Sequence, residues 1–168
     1  MDLNHWIDKA SHSSFYLWLF NRGLNRMVPF NKPHGLKVIE ILPDGIEVFW
    51  PYKKSNLNHI KGLHACGLAT LAEFATGFSL LRKLDPKKYR LIMKSISMEY
   101  HYQGKFHAKA VFKVDQEWLT KQILNPIKEK GVTNVDCLID IYDIKDNHLA
   151  TGTINWQVKS WDQVKTKV

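Results

Sequence analysis

Between residues 65 and 81 the chain reads ACGLATLAEFATGFSLL, apolar or small on every side except for one charge, Glu73. A helix that is apolar all round is a buried helix. A carboxylate without partners is costly to bury, so its presence there points to a task. It can act as a general base toward water or attack an electrophilic carbon itself, and both routes stay open. The start of a helix leaves its first N–H groups unpaired. Here those groups fall near Ala65 and Cys66, where they would stabilise an oxyanion as it forms. Base and donors together suit hydrolysis at an acyl carbon.

The flanking residues sharpen this reading. Asn58 stands six residues before His64, and Glu73 nine after it. The stretch resembles the central helix of hotdog-fold acyl-CoA thioesterases of the phenylacetyl-CoA thioesterase type, in which an Asn, a His at the helix start and an Asp or Glu keep those spacings. It departs from them in two places. The paired glycines after the His are Ala65 and Cys66 here, and the Gly before it is displaced to Gly62. The resemblance implies an α+β fold: a hotdog, with a six-stranded antiparallel sheet wrapped around a buried helix at about 65–81. It covers roughly residues 36–160, within a single domain spanning 1–168 and preceded by a helical extension over 1–30.

On that resemblance the candidate catalytic set is Glu73, Asn58, His64 and Ala65. Asn58 would hold the carbonyl or the water through its amide, or simply shape the loop before the helix. His64 reads as a helix-start residue more readily than as a base. Cys66 would be a small buried hydrophobe against the substrate, as free cysteines commonly are. Ser95 falls on the strand where related thioesterases place a supporting hydroxyl. The implied substrate is an acyl-CoA or acyl-carrier-protein thioester, and the implied assembly a homodimer, with a tetramer of two dimers as the larger form. A non-catalytic acyl-binding or structural hotdog protein is the alternative that the Ala65-Cys66 departure supports. A hotdog dehydratase is disfavoured, because its His-Phe-Pro and Pro-Gly signatures are missing.

Other segments must position these residues. Residues 2–28 read as one or two helices rich in aromatics, with Asn21-Arg22-Gly23 as a stop. Such a segment could lie over an acyl channel or dock as an ordinary helix, and the second is the plainer reading. Leu36–Leu42 and Ile46–Tyr52 read as strands joined by Pro43-Asp44-Gly45, a turn in which Pro presets φ. Residues 91–102 form a long strand with Ile92, Ile96, Met98, Tyr100 and Tyr102 on one face, turned at Gln103-Gly104 into an alternating strand over 105–114. Asp115 caps a helix over about 116–130 that Pro126 should kink or split and Gly131 should end. Strands over 135–142 and 149–160 follow, and the polar residues from Gln163 onward should fray.

The bulk numbers bound the rest. The net charge is +8 in 168 residues, a surface that favours phosphate-bearing ligands such as coenzyme A. Arg82, Lys83, Lys87 and Lys88, at one end of the central helix, are candidates for its nucleotide phosphates, although a solvated basic face explains any one of them. No long basic tail suggests a nucleic-acid partner. Two unpaired cysteines without metal spacing, and no signal peptide or spanning run, fit a cytoplasmic protein that needs no metal or cofactor. Helix geometry adds one constraint. At ~1.5 Å per residue, Glu73 lies about 12 Å along the axis from Ala65. One helix cannot serve both ends of one site, so donors and base should come from two copies of the chain.

Overall fold

The structure is a computed structural model and describes residues 3–165. The expected fraying at the C-terminus lies partly outside that range. Two helices open the chain, α1 (Leu3–His12) and α2 (Ser14–Met27). The stop expected at Asn21–Gly23 does not occur. The Asn21 amide nitrogen donates to the carbonyls of Leu17, at 2.9 Å, and Val38, at 2.8 Å, while its oxygen accepts from the Val38 N–H at 2.8 Å. The polar side chain is spent on the first strand, so it does not terminate its own helix.

A short 3₁₀ turn, Pro29–His34, leads to the hairpin of β1 (Lys37–Ile41) and β2 (Gly45–Trp50). The central helix α3 (Ala65–Lys83) follows, then β3 (Tyr89–Tyr100) and β4 (Ala108–Lys113). Asp115 caps α4 (Gln116–Leu119) by accepting from the Trp118 N–H at 2.7 Å. The helix widens into a π turn at Thr120–Leu124 and continues as α5 (Asn125–Lys130). Pro126, at the start of α5, has no N–H to offer the preceding turn, and the helix accommodates this by widening rather than breaking. Gly131 ends it at φ +70°. Strands β5 (Val132–Asp143) and β6 (His148–Ser160) close the chain.

The six strands form one antiparallel sheet in the order β1-β2-β4-β5-β6-β3. β3 and β4 are therefore not a hairpin, contrary to the reading of Gln103-Gly104. The segment between them crosses the start of α3, where Gly104 O accepts from the Leu63 N–H at 2.8 Å. β3 instead pairs with β6 at the edge of the sheet. A bulge at Lys94 shifts its register, so the expected continuous face is broken: Ile92 pairs opposite Gln157, and Met93 takes its place opposite buried Trp156.

The sheet wraps α3 closely because the helix is small where tryptophans cross it. A Cβ on Gly67 would lie 1.8 Å from Trp50 Cη2, and one on Gly77 2.6 Å from Trp156 Cζ2. The indole N–H of Trp156 donates to Thr76 Oγ1 at 3.0 Å, and Ser79 Oγ donates to Phe112 O at 2.9 Å, so the two hydroxyls in the deep half of the helix are paired to the sheet. α2 packs from the other side, with Phe20 edge-on to Phe78 at 5.6 Å. Its inner face is thus that of a docking helix. Gly67→Ala must push the Trp50 ring aside, so a loss of about 1–3 kcal/mol is expected in urea unfolding. An unchanged midpoint would show that the indole is not held against the helix.

Candidate functional site

The helix is not buried from its first turn, as the sequence suggested. His64, Ala65 and Cys66 are exposed, burial begins at Leu68, and the deep core runs from Phe74 to Leu80. A stripe from Cys66 through Ala69 and Thr70 to Glu73 stays partly open along one side, at the three- and four-residue spacing of one helix face. Cys66 is consequently an exposed thiol rather than a buried hydrophobe.

Asn58 and Ala65 come together. Both line a shallow cavity of about 280 Å³ beside Tyr100 and Gly104. Asn58 Oδ1 accepts from the N–H groups of Ile60 at 3.1 Å and Gly62 at 2.9 Å, which holds the loop in a shape that puts Lys61 at φ +58°. The loop-shaping role is therefore real for the amide oxygen. The amide nitrogen has no partner among the described residues and remains a donor. The Ala65 N–H likewise has no acceptor among them.

His64 caps the helix: its Nδ1 accepts from the Cys66 N–H at 3.2 Å. This is the helix-start role that its type suggested, and it alters the donor set. The Cys66 N–H, expected to be free for an oxyanion, is engaged by the imidazole, and the Gly67 N–H is taken by His64 O at 2.9 Å. Ala65 is left as the open backbone donor of the first turn. His64 and Cys66 face a second cavity of about 240 Å³, walled by Trp50 and by His34 and Phe30 of the 3₁₀ turn.

Glu73 lies two turns further along the open stripe and lines neither cavity. Its carboxylate has no hydrogen-bond or ion-pair partner among the described residues, and burial pushes its pKa above the ordinary carboxylate value of 4.5. Within one chain, then, the donors and the candidate base are apart. Ser95 is farther still: it pairs opposite Asn155, on the sheet face away from buried Ile154 and Trp156, because the Lys94 bulge has shifted the strand. A supporting hydroxyl toward α3 is not its role in this chain.

The four cations divide. Arg82 Nη1 donates to Leu42 O at 2.9 Å and to Gly45 O, and Lys83 Nζ donates to Pro43 O at 3.2 Å. Burial lowers the Arg82 pKa, partly offset by Asp44. Both residues fasten the β1–β2 turn to the end of α3 and are not free phosphate ligands. Lys87 and Lys88 remain exposed, with Lys88 Nζ 3.9 Å from Asp85.

One residue escaped the sequence reading. Tyr100 OH donates to Ala65 O at 3.0 Å, in the same cavity as Asn58. Burial, with the neighbouring Cys66, raises its pKa, so it stays a neutral donor. Its place on an apolar strand face disguised it as a packing residue. No group of three or more His, Cys, Asp or Glu side chains among the described residues could hold a metal ion.

A buried central helix enclosed by a six-stranded antiparallel sheet, with polar groups gathered at the helix start, defines a hotdog-fold protein. Residues 17–158 match the family model described as a domain of unknown function, DUF4442, and the chain belongs to that family. No protein of curated function matches it. Among solved structures it is similar to PA5026 from Pseudomonas aeruginosa, described as a protein of unknown function and probable thioesterase. The TM-score is 0.77 at 22% identity, over 84% of this chain and 94% of that one. It is also similar to the thioesterase HI1161 from Haemophilus influenzae, at TM-score 0.68 and 13% identity, over 87% and 94% of the two chains. These likenesses share the hotdog fold.

The Glu73 shift has a checkable consequence for stability. A carboxyl whose pKa is raised by folding binds its proton more tightly in the native state. It therefore costs stability at pH values above the native pKa, and that cost disappears as pH falls below the unfolded value. Glu73→Gln should raise the thermal midpoint relative to wild type at neutral pH, and the gap should close in acid below about pH 4. A pH-independent gap would mean that the carboxylate is not desolvated.

Proposed function

We propose that the protein is a thioesterase that hydrolyses an acyl-CoA or acyl-carrier-protein thioester, working as a homodimer with two composite sites. The observation that carries this reading is Glu73: a lone, unpartnered carboxylate with a raised pKa on the open stripe of the central helix. Thioester hydrolysis asks for a water made nucleophilic, or a carboxylate that attacks directly. It also asks for donors where the carbonyl oxygen gains charge. Asn58 and Ala65 line one cavity, and the two unpaired donors they carry, the Asn58 amide nitrogen and the Ala65 N–H, suit the second task. In the water route, Glu73 takes a proton from water as its oxygen bonds to the acyl carbon. The tetrahedral intermediate then expels the thiolate, which takes up a proton as the C–S bond breaks, leaving a carboxylic acid and a free thiol. The likeness to structures described as thioesterases supports this class.

A dimer follows from the separation of donors and base within one chain. It is also favoured by β3, an edge strand whose Ile92, Met93 and Tyr100 are exposed at 46%, 39% and 49%. A bare apolar edge strand invites pairing with another chain. Antiparallel helices across a two-fold axis bring the start of one toward the middle of the other. Lys87 and Lys88 are the cations left to meet a nucleotide phosphate.

The engaged Cys66 N–H favours one other reading, a hotdog protein that binds an acyl group without hydrolysing it. Assay against a panel of acyl-CoAs with a thiol reagent separates the two. For the enzyme, Glu73→Gln should lower kcat by at least ~10²-fold, and the acid limb of the wild-type pH profile should lie above the ordinary carboxylate range. Near-wild-type turnover in Glu73→Gln would remove Glu73 from the mechanism.

Complementation tests the shared site. Glu73→Gln and Asn58→Ala proteins, each inactive alone, are mixed and allowed to exchange subunits. A heterodimer then holds one intact and one doubly defective site, and activity should return. Verified heterodimers that stay inactive would show that the two residues do not serve one site across the interface.

A further inference from the structure

From residue 9 to residue 39 the chain contains no Asp or Glu, yet it carries Lys9, Arg22, Arg26, Lys32 and Lys37. This stretch contains α2 and the 3₁₀ turn after it. α2 buries Phe20 and Leu24 and turns Phe15, Trp18, Arg22 and Arg26 outward, at the spacing of one helix face. Phe15 is 61% exposed and Trp18 53%. Their rings stack with centroids 6.1 Å apart, and the Arg22 guanidinium lies 5.0 Å over the Trp18 ring. Met27, the last residue of the helix, is 71% exposed, and Phe30 just beyond it 65%. Arg22, Arg26 and Lys32 line one open depression of about 630 Å³, and none of them has an ion-pair partner among the described residues.

Scattered exposed hydrophobes are ordinary, but a stacked pair of exposed aromatics with a guanidinium over one ring, on a face without acids, marks a surface that something covers. A second copy of the chain is a poor occupant. A two-fold contact through this face would set Arg22 and Arg26 against their own copies, with no carboxylate in the segment to offset them. A free phosphate or nucleotide would satisfy the cations and leave the four large apolar side chains in water. An anionic bilayer satisfies both sets. Its phosphates meet the guanidinium and ammonium groups, and its acyl boundary receives the aromatics, as in helices that lie in a membrane interface.

We propose that the outer face of α2 and the adjoining 3₁₀ turn dock on an anionic phospholipid surface, with Phe15, Trp18, Met27 and Phe30 entering the headgroup–acyl boundary and Arg22, Arg26 and Lys32 holding lipid phosphates. This is independent of the hydrolytic reading and is tested without turnover. The full-length protein is sedimented with vesicles of phosphatidylcholine alone, or of phosphatidylcholine and phosphatidylglycerol in equal parts. Binding is expected to the mixed vesicles only, and should weaken with salt. Arg22→Glu with Arg26→Glu should lower the partition coefficient by ~30-fold or more. Phe15→Ser with Trp18→Ser should lower it by at least ~10-fold, while Lys128→Glu with Lys130→Glu on α5 should lower it far less. Thermal melts verify that each variant is folded, and the four side chains are exposed enough for substitution to be tolerated. No binding by wild type, equal losses in all three double variants, or conversion of Phe15→Ser/Trp18→Ser to a smaller assembly in light scattering would each overturn the proposal. The last outcome would make the face a contact between copies.

Discussion

Everything in this molecule depends on the closeness with which a sheet can approach one helix. Trp50 and Trp156 lie across α3 at Gly67 and Gly77, where no side chain could stand between ring and helix. That contact lets six strands close around the helix and bury Leu71, Ala72, Ala75 and Leu80 completely. It also dictates the polar pairings. Thr76 and Ser79 reach the sheet through Trp156 and Phe112, so the buried half of the helix carries no unpaired hydroxyl.

The same wrapping leaves the other half of the helix unfinished. One side of the helix, from Cys66 through Ala69 and Thr70 to Glu73, stays partly open because nothing in the chain fully covers it. A carboxylate on that stripe is desolvated by its neighbours without being paired by them, and its raised pKa reports that state. Such an environment is poor for stability and suited to a group that must take a proton. Around the helix start, donors are allotted between structure and chemistry. The His64 ring takes the Cys66 N–H and the Asn58 amide oxygen takes the loop N–H groups, while the Ala65 N–H and the Asn58 amide nitrogen stay open. The hydrolytic reading uses this division, and so does the alternative of a binding protein.

Much of the fold was legible in the residue pattern. The all-apolar run marked the central helix, Pro43-Asp44-Gly45 marked the first hairpin, and Asp115 and Gly131 marked the ends of the helical segment before β5. These signals are local: a cap, a turn residue or a hydrophobic period acts within a few positions of itself. Glu73 was legible for the same reason, as a charge where its neighbours allow none. The donor at Ala65 was legible from the helix start, Asn58 through a resemblance, and both line one cavity.

The remainder was settled by contacts between residues far apart in the chain. Asn21 looked like a helix stop and became a clamp on Val38. Arg82 and Lys83 looked like phosphate ligands and became ties to the β1–β2 turn. Ser95 was turned outward by a one-residue bulge, since a shift of one position in a strand moves every side chain to the other face. A polar side chain satisfies whichever partner the fold brings to it. The sequence by itself determined which residues must be buried and which are able to donate, accept or take a proton. Only the tertiary structure decided which of them meet, because strand order and register are set by packing between segments that local pattern does not connect.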